Sequence, residues 1–214
     1  MTTAARRPAR KPASRYHHGD LRRALLDEAV RTIQLEGVDA LTLREAGRRL
    51  GVSRTALYRH FRDKSALLAA VARDGFQRFR QDLVDAWTAG GRRRHGFEQM
   101  GRAYVSFAAA NPSHYRVMFG AFRDLCEKDP ALQADAAAAF QVLVDAIQTL
   151  QTAGEIRGDD PRQLARFIWS AVHGVASLAI DGQLGPDPKV RDALVSFTLE
   201  RLFSGIEKRS ARRN

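Results

Sequence analysis

Hydrophobic side chains recur along this chain at the spacing of amphipathic helices. In residues 20–36 they repeat every four positions, at Leu21, Leu25, Ala29 and Ile33. This spacing places them on one face of a helix, whereas a half-buried strand would alternate hydrophobic and polar residues. Because no stretch shows that alternation, we predict an all-α protein.

The starts of the later helices are marked by a repeated dipeptide. Asn or Asp precedes Pro at residues 111–112, 129–130, 160–161 and 187–188, and this order suits a helix N-cap followed by the first helical residue. We expect helices near residues 97–110, 113–120, 130–153, 161–181 and 188–204. A long helix over residues 64–89, capped by Asp63, should precede them and end at Gly90-Gly91. With three N-terminal helices the total is about nine.

Residues 42–64 have the pattern of two short helices around a glycine turn. Thr42 and Glu45 have capping-box spacing, Gly51 suits the left-handed end of the first helix, and Ser53 can cap the second. Inward positions are then Leu43, Ala46, Leu50, Ala56, Leu57 and Phe61. This is the layout of a helix-turn-helix, whose second helix reads the DNA major groove. The alternative is a helix pair that never touches DNA.

The same residues carry a family resemblance. The segment LGVSRTALYRHFRDKSALL resembles the recognition segment of TetR-family transcriptional regulators, with every motif residue present: Gly51, Val52, Ser53, Leu57, Tyr58, His60, Phe61 and Lys64. The C-terminal half looks like the "WHG" type of TetR domain, through Trp169, His173 and Gly174 and the stretch from Asn111 to Gly120. The opening Tyr16-His-His-Gly-Asp20 fits the same subgroup. The resemblance implies a DNA-binding regulator with a ligand-binding C-terminal domain.

Positive charge is concentrated around the predicted motif. The chain has a formal net charge of +11, and residues 1–64 hold fifteen Lys/Arg against seven Asp/Glu. Such an excess suits a polyanionic partner. The alternative is a merely soluble basic surface. We expect residues 1–15 to be a disordered basic arm that either reaches DNA or stays solvated. The domains predicted after it are residues 16–64 for DNA binding, residues 65–206 for ligand binding and dimerisation, and a basic tail at 207–214.

Candidate DNA contacts follow from side-chain chemistry and from the resemblance. Arg54 is the first candidate for base reading, because arginine can donate two hydrogen bonds to guanine. Thr55 can contact a base, and Arg59 either a base or phosphate. The resemblance implies phosphate contacts for Tyr58, His60 and Lys64. The predicted set is Thr42, Arg44, Arg54, Thr55, Tyr58, Arg59, His60 and Lys64, acting on double-stranded DNA with a palindromic operator.

The last two helices are expected to form a homodimer. Residues 161–181 are apolar almost all round, so a helix there should be buried on several sides, one of them against a partner chain. The alternative is that both helices close only the core of one chain. A two-fold protein would match DNA half-sites about 34–36 Å apart.

The resemblance also implies a small-molecule effector between the C-terminal helices. Candidate lining residues are Tyr104, Phe107, Tyr115, Met118, Phe122, Phe140, Trp169, Val172 and His173. The alternative for each is a core residue, which an aromatic residue or methionine at helical spacing is more often than a pocket residue, and His173 is more often a hydrogen-bonded core histidine.

Competing functions lack support in the residues. No Gly-rich phosphate loop, nucleophile motif or zinc spacing is present, so we predict no catalytic residues, metal or cofactor. An enzyme using the C-terminal cavity is the less favoured alternative, and a sequence-neutral architectural DNA binder is another. One cysteine, Cys126, fits a buried structural thiol. No apolar run approaches a membrane span. We therefore expect a cytoplasmic, homodimeric regulator, a repressor by family analogy.

Overall fold

The computed structural model describes residues 18–120 and 129–208, and these ranges are helical almost throughout. The helices are α1 His18–Glu36, α2 Leu43–Arg49, α3 Arg54–His60, α4 Lys64–Ala89, α5 Arg94–Ala110, α6 Pro112–Phe119, α7 Pro130–Thr152, α8 Pro161–Ile180 and α9 Pro188–Ile206. In the described ranges the only β pairing is one isolated antiparallel bridge between Ile156 and Glu207. The all-α prediction is confirmed. None of the helices in these ranges combines the length and apolarity needed to cross a bilayer.

Short polar side chains set most of the helix starts. Asp63 accepts a hydrogen bond from the Ala66 N–H, and Asp160 accepts one from the Gln163 N–H. Asp129 and Asp187 cap α7 and α9 in the same way. These caps satisfy backbone donors that have no partner inside the helix. Asn111 differs, because its side-chain amide donates to the Phe107 carbonyl of the preceding helix and makes no side-chain cap.

The first three helices pack against the start of α4. Leu25 and Leu41 are fully buried here, with Leu57 and Phe61 nearly so. Gly51 has φ +66°, the left-handed conformation that lets the chain turn from α2 to α3. An added Cβ on Gly47 would come within 3.2 Å of the Leu57 side chain, so α2 and α3 lie in close contact. The helix-turn-helix pattern is therefore present as a packed unit.

The 26-residue helix α4 connects this unit to the remaining helices. It packs against α1 on one side and against α5, α6 and α7 further along. Together with α8 these helices surround a core rich in aromatic side chains, in which Phe79 contacts Tyr104, Phe107 and Phe119. One continuous hydrophobic cluster includes buried residues of both halves, so a shift of α4 would be felt in both.

Candidate DNA-binding surface and ligand cavity

The predicted DNA contacts lie on α2 and α3, except for Thr42, the N-cap of α2, and Lys64, the first residue of α4. Six are exposed, and His60 and Lys64 are half-buried. The surface they form, which we call the reading surface, consists of Thr42, Arg44, Arg54, Thr55, Tyr58, Arg59, His60 and Lys64. Leu57 and Phe61 are buried on the opposite side of α3, as predicted, and Ala56 is half-buried.

Local hydrogen bonds hold the reading surface in place. The Thr42 hydroxyl accepts from the Glu45 N–H at 3.1 Å, and the Ser53 hydroxyl accepts from the Ala56 N–H at 3.2 Å. The Arg54 guanidinium lies 5.6 Å from the centre of the Tyr58 ring, a distance that allows cation–π attraction. The Lys64 ammonium donates to the Asp39 carbonyl at 3.3 Å, which ties the start of α4 to the loop before α2.

Carboxylates near the reading surface are neutralised by other arginines. The Glu45 carboxylate accepts from Arg48 at 2.6 Å and from Arg49 at 2.9 Å, and these hydrogen bonds, Arg48 first, lower the pKa of Glu45 to about 2. No ion pair joins Arg44, Arg54 or Arg59 to a carboxylate in the described ranges. Their charges therefore remain available to phosphate or to base edges.

Arg49 is the centre of an ion cluster that fixes α2 against α1. Its guanidinium lies 2.8 Å from Glu36, 2.9 Å from Glu45 and 3.3 Å from Glu28. The hydrogen bond to Arg49 lowers the pKa of Glu36, and the bonds to Glu36 and Glu45 raise the pKa of Arg49. Of the predicted capping box, the hydrogen bond from the Glu45 N–H to the Thr42 hydroxyl is present. The Glu45 side chain, which was expected to bind the Thr42 N–H, binds Arg48 and Arg49.

A cavity of about 580 Å³ lies between α4, α5, α6, α7 and α8. Four of the predicted ligand residues line it: Tyr104, Met118, Phe140 and Trp169. The other described candidates, Phe107, Tyr115, Val172 and His173, are not part of its lining. Phe122 falls outside the described residues, as do Cys126, the predicted arm at residues 1–15 and residues 209–214 of the predicted tail.

Two lining residues, Tyr104 and Trp169, form a hydrogen-bonded chain with Tyr115 and His173 behind them. The Trp169 indole N–H donates to the Tyr104 hydroxyl at 2.9 Å. The Tyr104 and Tyr115 oxygens are 3.1 Å apart, and Tyr115 lies 2.7 Å from Nδ1 of His173. Burial lowers the pKa of His173, which favours the neutral imidazole, and the Trp169 N–H donor fixes the direction of the first hydrogen bond in this chain.

Burial also favours the neutral form of Tyr104 and Tyr115, the two tyrosines of this hydrogen-bonded chain. It raises the pKa of Tyr104 to about 12 and raises that of Tyr115 well above its ordinary value. Within the described residues no buried side-chain nitrogen or oxygen lacks a hydrogen-bond partner. The polar atoms of this hydrogen-bonded chain are therefore matched to one another, and His173 is half-buried and hydrogen-bonded outside the cavity lining.

Several lining residues were missed by the sequence analysis. Phe76 and Phe79 on α4, Phe119 at the end of α6 and Arg162 and Arg166 on α8 all reach the cavity. The spacing of Phe76, Phe79 and Leu83 marks an apolar stripe on α4 that could have been noticed. The arginines have no comparable signal, because their position depends on how α8 packs on α7. No group of three or more potential metal-ligating residues occurs in the described part of the chain.

Both halves of the chain match models of known protein families. Residues 25–71 match the family described as bacterial regulatory proteins, tetR family, and residues 97–202 match tetracyclin repressor-like, C-terminal domain. The HTH-type transcriptional repressor Rv1474c of Mycobacterium tuberculosis is 42% identical over 65 residues, which are 30% of this chain and 35% of that protein. The chain thus spans about a third of this curated relative in the match.

Solved structures share the whole arrangement of helices. A protein of unknown function from Rhodococcus sp. RHA1 is 33% identical with a TM-score of 0.79, over 92% of this chain and 100% of that one. A TetR family transcription regulator from Marinobacter aquaeolei VT8 has a TM-score of 0.67 at 19% identity, over 88% of this chain and 96% of that one. The "WHG" subtype stays a prediction. The two family matches take in the helix-turn-helix and the C-terminal helices alike, and the chain belongs to the TetR family of transcriptional regulators.

Proposed function

We propose that this regulator is a homodimeric repressor that binds a palindromic operator through the reading surface and leaves it when a small molecule fills the cavity. The observation that carries this proposal is the exposed face of α3, where Arg54, Thr55, Tyr58 and Arg59 reach solvent and no carboxylate of the described residues forms an ion pair with either arginine. A helix with such a face fits the major groove. The repressor assignment is supported by the name of the Mycobacterium tuberculosis relative, whose match covers 30% of this chain.

Exposed apolar side chains on the last two helices support the homodimer. Phe167, Leu178, Val190 and Phe197 are each 43–55% exposed, and all four belong to α8 or α9. Large apolar groups of this kind are unfavourable in water and mark protein interfaces when they occur together. Gly174 is exposed on α8 with nothing within 4 Å of an added Cβ, so a second helix has room to approach it.

A polar cluster connects the cavity to the DNA-binding helices. Asp74 on α4 accepts from Arg23 of α1 at 3.0 Å and lies 3.2 Å from Nε2 of His114 on α6. The same short helix α6 contributes Val117, Met118 and Phe119 to the cavity lining. A ligand that moves α6 therefore acts on the contacts of α1. It can release the operator only if it binds the DNA-incompetent arrangement more tightly.

Selection of bound sequences from a random DNA pool, at about physiological salt, tests the proposal. We expect the full-length protein to enrich a two-fold symmetric motif with half-sites about one helical turn apart. A sequence-neutral architectural binder would enrich nothing, and its binding would collapse as salt rises. That result would overturn the proposed regulator of a specific operator. A motif without two-fold symmetry would overturn the dimeric part.

Two substitutions on the reading surface should have different effects on DNA binding. Arg54→Ala should cost about 1–3 kcal/mol on the selected operator and relax the preference at one base pair of each half-site. Lys64→Ala should weaken all sequences alike and reduce the salt dependence, because a phosphate contact carries no sequence information. Titrations of the operator and of a scrambled duplex over a range of salt separate the two. If both variants lose affinity without a change in sequence preference, the assignment of base reading to Arg54 is wrong.

A further inference from the structure

The cavity combines apolar walls with a charged rim on one helix. Most of its lining is aromatic or aliphatic, including Phe76, Phe79, Phe119 and Phe140. Arg162 and Arg166 are its only charged lining residues among those described, and they stand four residues apart on α8. Residues at this spacing lie on the same side of a helix. Both arginines are exposed, so they stand where the cavity meets solvent.

Neither arginine is neutralised by a carboxylate of the described residues. No carboxylate in the described ranges forms an ion pair with Arg162 or Arg166, although ion pairs occupy many other arginines of this chain. The Arg162 guanidinium donates to the neutral Gln141 side-chain oxygen at 3.0 Å. Gln141 in turn donates to Asp145 at 2.7 Å, which fixes the amide that orients Arg162. One guanidinium is therefore positioned, and both keep their positive charge at the rim.

The other polar groups near the lining are already engaged. The Tyr104 hydroxyl accepts from the Trp169 indole N–H and lies within hydrogen-bonding distance of both Tyr115 and His173. Asp135, on the helix that forms one cavity wall, accepts from Arg73 and Gln77. The inner wall thus has little to offer a polar ligand, while the rim offers two cations. This distribution is complementary to a molecule with an apolar body and one anionic end.

We propose that the effector is an amphiphilic organic anion: an apolar chain or ring system buried against the phenylalanines, with a terminal carboxylate or phosphate held by Arg162 and Arg166. Guanidinium groups pair well with both head groups, because their planar donors match two oxygen atoms at once. A volume of about 580 Å³ lies in the range of small-molecule sites, roughly 300–1,000 Å³. The inference rests on the proposed function only in calling this ligand the effector, since binding itself needs no DNA.

Four probes with the same ten-carbon chain test the charge requirement: decanoate, decyl phosphate, decanol and decyltrimethylammonium. Binding to the full-length protein is followed by calorimetry and by tryptophan fluorescence, because Trp169 lines the cavity. We expect the two anions to bind roughly ten-fold or more tightly than the alcohol, and the cation to bind most weakly. The ratio between decanoate and decyl phosphate identifies the preferred head group. Equal affinity for decanoate and decanol would overturn the proposal.

Matched variants separate the rim from the general positive charge of the protein. Arg162→Gln with Arg166→Gln should weaken decanoate binding about ten-fold or more and leave decanol binding unchanged. Arg80→Gln is the control, because Arg80 is an exposed arginine of α4 outside the cavity lining, and it should change neither. An equal loss in the control would overturn the role of the rim. If the double variant does not fold, the single variants Arg162→Gln and Arg166→Gln replace it, and an unchanged ratio of decanoate to decanol affinity in both would overturn the role of the rim.

The operator complex distinguishes this inference from the proposed function. Decanoate that binds through the rim arginines and releases the operator supports both. Binding through the rim without release supports the ligand class and overturns the effector role of the cavity. Failure of all four probes to bind, while the protein selects a symmetric operator, would overturn the ligand class and leave the DNA-binding proposal standing.

Discussion

Replacing Phe167 and Phe197 together by glutamate is expected to convert the proposed dimer into a monomer and to lower operator affinity by about 100-fold or more. Each ring is about half exposed in the single chain, and burying such a side chain contributes roughly 1.5–3 kcal/mol. The change affects four rings per dimer and adds four charges to the interface. Loss of the dimer also separates the two DNA-binding units, so that binding of the second half-site is no longer intramolecular.

Sedimentation measures the oligomeric state of this variant, and titration of the selected operator measures the affinity. Leu35→Glu is the matched control, because Leu35 is 66% exposed on α1, away from the last two helices. It should leave the dimer intact. A double variant that remains dimeric would show that the interface lies elsewhere, and a wild-type protein that is monomeric at micromolar concentration would remove the dimer from the proposal.

Phe61→Ala should cost about 3–5 kcal/mol of folding free energy, the usual range for removing a buried aromatic ring. The ring is 4% exposed directly after α3, and the Arg22 guanidinium of α1 lies 5.4 Å from its centre. The loss is a large part of the roughly 5–15 kcal/mol by which domains are stable. We expect a lower urea midpoint by circular dichroism and loss of operator binding at temperatures where the wild type still binds.

Tyr58→Ala provides the comparison on the same helix. Tyr58 is 44% exposed and belongs to the reading surface, so its removal should change stability by no more than about 0.5–1 kcal/mol while weakening DNA binding. Stability and binding should therefore separate in this variant and fall together in Phe61→Ala. A Phe61→Ala protein within about 1 kcal/mol of the wild type would contradict the structural role given to this ring.

Helix boundaries could be predicted where local residues determine them. The aspartates before α4, α7, α8 and α9 cap those helices as the sequence indicates, because a cap involves only residues two or three positions apart. The predicted start of α5 at residue 97 was wrong by three residues, because the helix begins at Arg94. Its Arg94 N–H donates at 3.1 Å to the side chain of Glu155, in the segment between α7 and α8. A cap that comes from so far along the chain leaves no local pattern.

The two candidate sites also differ in whether neighbouring residues or distant parts of the chain determine them. The reading surface lies within one continuous segment, so the spacing of its buried and exposed residues was enough to predict which side chains face solvent. The cavity takes residues from five helices. Aromatic residues at helical spacing could be core or lining, and only the packing of α6 and α7 on α4 separates Met118 in the lining from Phe107 outside it.

The length of α4 amplifies small movements at the cavity into larger displacements at the reading surface. From Phe79 at the cavity to Lys64 at the reading surface the helix rises through fifteen residues, roughly 22 Å at about 1.5 Å per residue. A tilt of about 5° about the cavity end therefore displaces the far end by roughly 2 Å, and in the proposed dimer two such helices tilting in opposite directions would change the distance between the two reading surfaces by about 4 Å. For the proposed effector, substitutions of a few cavity residues that alter this tilt would therefore change the response at the DNA while the helices themselves stay the same.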